Sequence, residues 1–392
     1  MRAVVLGGGG LTGRAAVRQL AAGGLADEVV AADVDPALAV AAAKAAGPRT
    51  TPADLDVRDR AATVRLLHGA SVVVNATPYA FNLEAMAAAL AARVPYLDFG
   101  GLFHMTRRQL GLDGPFREAH LLAVPGLGQV PGVSNVLAFA AAEQLDTVES
   151  IVLRDGWRDL AATPSLSFSW SPATFLEEMV QPAVVFQDGT YREHPPLSGA
   201  EEYDFGPPVG RTTIFRTLHS EPATLPDSLR DKGLWHCEWK EGGPGIELAR
   251  ALAEIGLGSE RPVEVRGTPV IPREFTLALL RRENLLGPRP GAAVDDWELL
   301  DIELRGVQAG RSATVHATAR FPPWPDWQLA ATEYAVGTAG AIGAEMVLRG
   351  ELRGEGVVPP ERAVPAAAFR RELRRRGILT AVVPPEPPLP VR

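Results

Sequence analysis

Only three lysines occur in this chain of 392 residues, Lys44, Lys232 and Lys240, so its positive charge is almost all arginine. That scarcity leaves few candidates for a Schiff-base lysine. No Tyr-x-x-x-Lys pair exists either, which argues against a short-chain reductase or a sugar-nucleotide epimerase. The one cysteine, Cys237, excludes an internal disulfide framework and cysteine-based metal sites, and no metal is expected. Aromatic residues are scarce at 6% while hydrophobic residues reach 46%, a balance that suits an alanine-rich α/β protein. A net charge of -8 disfavours nucleic acid or an anionic membrane as the main partner. No apolar run approaches the roughly 18 residues that span a bilayer. The first strand-like run opens at Arg2 and leaves no room for a secretory leader, so a cytoplasmic location is expected.

What the chain does have is glycine near its start. Val4-Val5-Leu6 enters Gly7-Gly8-Gly9-Gly10-Leu11-Thr12-Gly13, which contains G-x-G-x-x-G at Gly8, Gly10 and Gly13. Ala15, Ala16, Val17 and Leu20 follow at helical spacing, and twenty residues past Gly13 a second apolar run ends in Asp33. Strand, glycine turn, helix and a distant acid together form a dinucleotide-binding fingerprint. Glycine lets the backbone approach a pyrophosphate, and the helix start points free N–H groups at the anion. Asp33 can accept hydrogen bonds from a ribose diol and would repel a 2′-phosphate, so NAD is expected over NADP. Gly7, Gly8, Gly10, Leu11, Thr12, Gly13, Asp33 and Val34 are the expected cofactor contacts of this first unit.

Residues 1–135 alternate strand-like and helix-like segments, which predicts a doubly wound parallel sheet of the Rossmann type. Residues 136–325 change character. Strand candidates Glu149–Arg154, Val263–Val265, Trp297–Arg305 and Ala313–Phe321 are separated by long stretches with proline and glycine. They predict an α+β domain on an open, mostly antiparallel sheet. Residues 326–392 then read as a C-terminal segment, with buried-helix character over Thr332–Arg349.

Polar residues at the carboxyl ends of the parallel strands should line a ligand crevice. Asp56 and Val57 can reach the adenine edge, or form an Asx turn. Asn75, Ala76, Thr77 and Pro78 leave the fourth strand and let a nicotinamide approach, and Tyr79 beside them can donate a hydrogen bond. Asp98 or His104 can take an amine proton, with Gly100 and Gly101 on the same wall. The loop Pro125–Asn135 supplies Gln129, Gly132 and Asn135, and a helix start capped by Ser134 or Asn135 can hold a carboxylate. Further along, Arg216 and His219 form a polar cluster, with Arg154 and Arg211 as other clamps for a carboxylate.

Taken together, these motifs resemble the saccharopine dehydrogenase family, most closely its lysine 6-dehydrogenase branch. The resemblance rests on residues 7–13, Ala32-Asp33-Val34-Asp35, and Asn75-Ala76 with Tyr79, Phe81 and Asn82. It extends through Leu97-Asp98 with Gly100-Gly101, Pro131-Gly132 with Asn135, and Leu145-Asp146 with Val148-Glu149-Ser150. It closes on Pro359-Pro360-Glu361 and Arg376-Gly377-Ile378-Leu379. It implies a Rossmann domain, an inserted α+β domain whose sheet often builds a homodimer, and a C-terminal segment returning to the first domain. It also implies NAD(P)-dependent oxidation or reduction at a carbon bearing an amine, with Tyr79 touching an amino acid or amine substrate. The named activities it points to are lysine 6-dehydrogenase and glutamate-forming saccharopine dehydrogenase. The rivals are a reductive condensation in polyamine metabolism, of the carboxynorspermidine synthase type, and a non-catalytic NAD-binding regulator. This chain departs from the pattern at Trp239–Gly245 and at 211–225, the regions expected to face the substrate.

Overall fold

The computed structural model describes residues 1–161, 171–283 and 293–384. Its first sheet is parallel and seven-stranded. It contains β1 (Arg2–Leu6), β2 (Glu28–Asp33), β3 (Thr50–Asp54), β4 (Val72–Asn75), β5 (Tyr96–Asp98), β6 (Leu122–Val124) and the two-residue strand Gly356–Val357. The spatial order runs from Gly356–Val357 through β6, β5, β4, β1 and β2 to β3. Ala3–Leu6 and Val72–Val74 are wholly buried, because helices cover both faces of a parallel sheet and its strands then read as continuous apolar runs. The chain winds outward from β1 to β3 and then returns to β4. The carboxyl ends of β1 and β4 therefore flank the point where a doubly wound sheet opens a crevice.

The helix α1 (Leu11–Gly23) starts at that crevice and buries Ala15, Ala16, Val17 and Leu20. The helix Ala331–Leu348, from the C-terminal segment, packs on it. Its run of Ala and Gly is buried from Ala331 to Met346. Small side chains permit this approach: a Cβ added at Gly337 would lie 2.6 Å from Ala16 N and 2.7 Å from Thr12 O. Gln19 Nε2 donates to Thr338 Oγ1 at 3.0 Å, and Arg14 pairs with Glu333 at 2.8 Å.

Among the described residues the second sheet has nine strands and is mixed, mostly antiparallel. Its centre is the long strand Thr147–Asp159, with Asp296–Gln308 antiparallel on one side and His236–Gly242 parallel on the other. Arg311–Phe321 continues one flank; Arg211–Arg216 and Glu201–Asp204 continue the other. One apolar cluster runs from β1 and α1 through the helices Val133–Ala142 and Ala331–Leu348 to Ile151, Leu153, Ile302 and Leu304. The two sheets thus share a core.

Three local expectations shift. Val263–Val265 forms a separate hairpin with Thr268–Val270 instead of joining the large sheet. The C-terminal segment serves both sheets, since Gly356–Val357 pairs with β6 while Leu379–Val383 pairs with Arg311–Phe321. The helix expected to be capped by Ser134 or Asn135 begins at Val133, because Gly132 at φ 127° turns the chain earlier and takes the cap position.

Gly337→Ala tests the helix contact. Alanine favours the helix by about 1 kcal/mol, but its methyl meets backbone atoms that cannot move away. We expect a net loss of about 1–3 kcal/mol in the denaturant midpoint.

Candidate active site

The crevice opens into a cleft of about 320 Å³. One wall comes from the glycine turn. Gly7 sits at φ 72°, and a Cβ there would lie 2.7 Å from Ala76 O; at Gly13 it would lie 2.0 Å from Gly7 O. Side chains are thus excluded where β1 and β4 end together. The start of α1, at Gly10, carries no side-chain cap, and Gly10, Leu11 and Thr12 line the cleft. An uncapped helix start behind a glycine turn fits a pyrophosphate. Asp33 at the end of β2 accepts from Gly9 N at 3.0 Å and Asp35 N at 3.1 Å, and Val34 beyond it is exposed. Asp56 instead closes a surface turn, accepting from Arg58 N at 3.0 Å and pairing with the Arg58 guanidinium at 2.6 Å. Val57 is buried beside β2 and β4 in the second apolar cluster.

The next wall is the turn after β4. Asn75 is buried; its Oδ1 accepts from Thr77 Oγ1 at 2.7 Å and its Nδ2 donates to Asn82 Oδ1 at 2.9 Å and Tyr96 Oη at 3.1 Å. It shapes the turn from behind, while Ala76, Thr77, Pro78 and Tyr79 face the cleft. The Tyr79 hydroxyl donates to Glu177, which Arg273 also grips. Burial and then the Glu177 carboxylate raise the Tyr79 pKa, so the phenol keeps its proton.

Asp98 lies behind the cleft wall. It is 1% exposed, and it accepts from Gly126 N at 2.7 Å, Gly100 N at 2.8 Å and Gln109 Nε2 at 2.5 Å. Those bonds fold the loops on which Gly100 and Gly101 line the cleft. His104 is exposed on the helix Leu102–Leu110, with its ring edge-on to Phe103 and off the cleft lining. Gln129, Gly132 and Asn135 are buried support as well. Asn135 Oδ1 accepts from Gly132 N at 3.1 Å, and its Nδ2 donates to Thr224 Oγ1 at 3.0 Å. The helix start expected to hold a carboxylate is therefore closed by the protein itself, while Val130 and Pro131 of the same loop reach the cleft.

His219, in the loop that follows the strand Arg211–Arg216, faces the cleft. Its ring stacks on Trp239 at 4.0 Å between centroids and 7° between planes, which fixes its orientation. Nδ1 donates to Glu221 Oε2, and Glu221 Oε1 accepts from Ser134 Oγ at 2.7 Å. Burial opposes the imidazolium, but the Glu221 carboxylate outweighs it and raises the pKa. Arg216 turns away and pairs with Glu238 at 2.7 Å; Arg154 pairs with Glu201 at 3.1 Å. Arg211 lines a different cavity, beside Gly243–Glu247.

Sequence reading named none of the carboxylates of the opposite wall, although Glu241 falls in the segment Trp239–Gly245 expected to face the substrate. Asp155 and Trp157 of the central strand, Glu241 of His236–Gly242, Glu298 of Asp296–Gln308 and Glu178 of the helix Pro172–Val180 all line the cleft. Register brings the first four together: Glu241 lies beside Asp155, and Glu298 beside Trp157. Thr217 Oγ1 donates to Glu241 at 2.7 Å, and Thr332 Oγ1 to Glu298 at 2.5 Å. The available signal at Asp155 was an acid that follows the apolar run Ile151-Val152-Leu153 by two residues. Among the described residues no group of His, Cys, Asp and Glu is arranged to hold a metal ion, and no helix is long and apolar enough to cross a membrane.

The comparisons agree with this architecture. A family model described as the saccharopine dehydrogenase NADP binding domain matches residues 3–124, and one described as the saccharopine dehydrogenase C-terminal domain matches 128–378. The chain belongs to the saccharopine dehydrogenase family. Its fold is similar to that of saccharopine dehydrogenase (L-Glu forming) from Saccharomyces cerevisiae, with a TM-score of 0.74 and 18% identity over 97% of this chain and 99% of that one. It is also similar to homospermidine synthase from Legionella pneumophila, solved in complex with NAD, with a TM-score of 0.65 and 13% identity over 95% and 89% of the two chains. This saccharopine dehydrogenase family member therefore has the NAD(P)-binding oxidoreductase fold, with one cleft between the glycine turn and the second sheet.

Asp98→Asn separates support from chemistry. The amide replaces an acceptor of three bonds, so we expect a loss of about 1–3 kcal/mol in the urea midpoint. An Asp98 that acted only in proton transfer would leave the midpoint unchanged.

Proposed function

We propose that the protein is an NAD-dependent oxidoreductase acting on the C–N bond of an amino acid or amine. The observation that carries this reading is the buried His219–Glu221 pair, held in the same cleft as the uncapped glycine turn. With Nδ1 committed to Glu221, the ring nitrogen left to take up a proton is Nε2. In the oxidative direction a substrate ammonium loses one proton to His219 Nε2, its carbon loses hydride, and a C=N bond forms. When bound, the nicotinamide supplies the hydride acceptor. Tyr79 and Gly100–Gly101 shape the place where the substrate carbon lies, and Trp239 keeps the imidazole plane fixed. In reduction the same proton returns to the nitrogen. Asp33 favours NAD, since its carboxylate would meet a 2′-phosphate.

The test follows reduced-cofactor absorbance with NAD and NADP separately, offering L-lysine, saccharopine and aliphatic diamines. Turnover of an amine with NAD is expected; tight NAD binding with no turnover on the whole panel would favour a non-catalytic regulator. His219→Gln should lower kcat by on the order of 10²–10⁴ while NAD affinity stays the same. Oxidation requires neutral His219, so its rate should rise as pH passes a value above the usual imidazole pKa of about 6.5. Glu221→Gln removes the charge that raises that pKa and should move this limb to lower pH. A limb unmoved in Glu221→Gln would remove His219 from the proton step. Asp33→Ser should improve NADP over NAD by at least about tenfold, about 1.4 kcal/mol, in the ratio of kcat/KM.

A further inference from the structure

The strand His236–Gly242 lies between Thr147–Asp159 and Arg211–Arg216, and it stops before either of them. Its last residue, Gly242, pairs with Gly156, and the chain then leaves the sheet through Gly243–Gly245 into the helix Ile246–Glu254. The two neighbours run on, one through Trp157 and Arg158, the other through Thr213 and Thr212 to Arg211. A slot of about 320 Å³ opens where the middle strand has ended, lined among others by Trp157, Arg158, Arg211, Thr212 and Gly243. The two places where the sequence departs from the family pattern, 211–225 and Trp239–Gly245, both reach this slot. It is built from the residues that set this chain apart.

Trp157 divides the slot from the cleft, since it lines both. Its indole is held firmly: Nε1 donates to Pro244 O at 3.2 Å, and a Cβ added at Gly243 would lie 2.6 Å from the ring. The charge on the two sides of this indole is opposite. Among the described residues the cleft lining holds four carboxylates and no lysine or arginine, while the slot lining holds two guanidiniums and one carboxylate. Arg158 Nη1 donates to Val209 O at 3.3 Å, which anchors that guanidinium and leaves its other N–H groups without an acid. Among the described residues neither Arg158 nor Arg211 is in an ion pair, and Glu247, the acid of the lining, pairs with neither. Arg154, Lys240 and Arg216, on the same three strands, each contact an acid. Two like charges at one cavity repel unless an anion lies between them, and the guanidinium fork matches a carboxylate or a phosphate. Both arginines are exposed, so an anion can reach them from solvent.

We infer that this slot is a second binding site, which takes a small oxyanion, a carboxylate or a phosphate group, between Arg158 and Arg211 with Thr212 at its side. The site is separate from the redox cleft and does not depend on the C–N reading above. Because Trp157 belongs to both, an anion seated in the slot braces one wall of the cleft from behind.

Isothermal titration of the NAD-saturated full-length protein with inorganic phosphate and with malonate, at constant ionic strength, tests it. NAD fills the glycine turn, the other place where phosphate would bind. One equivalent of at least one probe should bind with a Kd below about 1 mM. Tighter phosphate would assign the slot to a phosphate ester, and tighter malonate to a carboxylate; either supports the site. Arg211→Gln and Arg158→Gln should each weaken binding at least about tenfold, and Arg211→Lys should keep part of the affinity. An unchanged Tm shows that these exposed substitutions leave the fold intact. Failure of both probes to bind, or binding that both glutamine variants leave unchanged, would overturn the inference.

Discussion

Buried negative charge is the constraint around which the second half of this molecule is arranged. A carboxylate leaving water loses solvation that only hydrogen bonds or an opposite charge can replace. On the outer face of the large sheet the chain provides the opposite charges itself, through Arg154, Lys240 and Arg216. On the inner face it provides hydroxyl donors from Thr217 and Thr332 and the His219 ring but, among the described lining residues, no lysine or arginine. The difference is set by a register in which neighbouring residues such as Arg154 and Asp155 point opposite ways. Slipping one strand by one residue would exchange the two faces. The length of the central strand and its eleven-residue flank Arg311–Phe321 matter for that reason: long ladders pin the register on which the charge pattern depends.

The first sheet was largely legible in the sequence because its signals are local. A strand of buried valines, a glycine turn and an alanine-rich helix lie within about twenty residues, and their geometry follows from steric limits on each residue. The cleft's far wall was not legible, because Asp155, Glu241 and Glu298 meet only through strand pairing across long stretches of chain. No spacing rule connects them. The same limit explains Asp98. An acid at a strand end next to two glycines is what a catalytic wall requires, and equally what a backbone-binding carboxylate requires. Only the identity of its partners, Gly100, Gly126 and Gln109, separates the two roles. His219 was visible as a polar cluster, but its meaning depends on Trp239 and Ser134, both far away in sequence.

The two halves are joined at the site as well as through the core. The helix Ala331–Leu348 presses Gly337 against α1, the helix whose start faces the cleft, and its Thr332 donates to Glu298 on the opposite wall. Likewise the helix Val133–Ala142, which carries the chain out of the first sheet, holds Glu221 through Ser134. Each wall is thus braced by an element that also packs on the other. A shift of either helix would change the distance between the glycine turn and His219. The proposed hydride transfer would demand that reacting atoms lie within a narrow range of separation, and on that reading the bracing bears on rate as much as on stability.

This arrangement also separates the part of the cleft that can vary from the part that cannot. The glycine turn, the Asn75–Tyr79 wall and the Asp98 loops are held by backbone geometry and buried hydrogen bonds, and they leave little freedom for change. The inner sheet face is different, since each position there is one side chain on a strand whose register is fixed elsewhere. Exchanging an acid for an arginine at such a position would invert the charge that the ligand meets without moving the nucleotide wall. On the proposed reading, substrate choice would reside in a few strand positions and reaction class in the glycine turn and the histidine–carboxylate pair. That separation follows from the alternation of strand side chains, which lets inner-face residues change without breaking the ion pairs behind them.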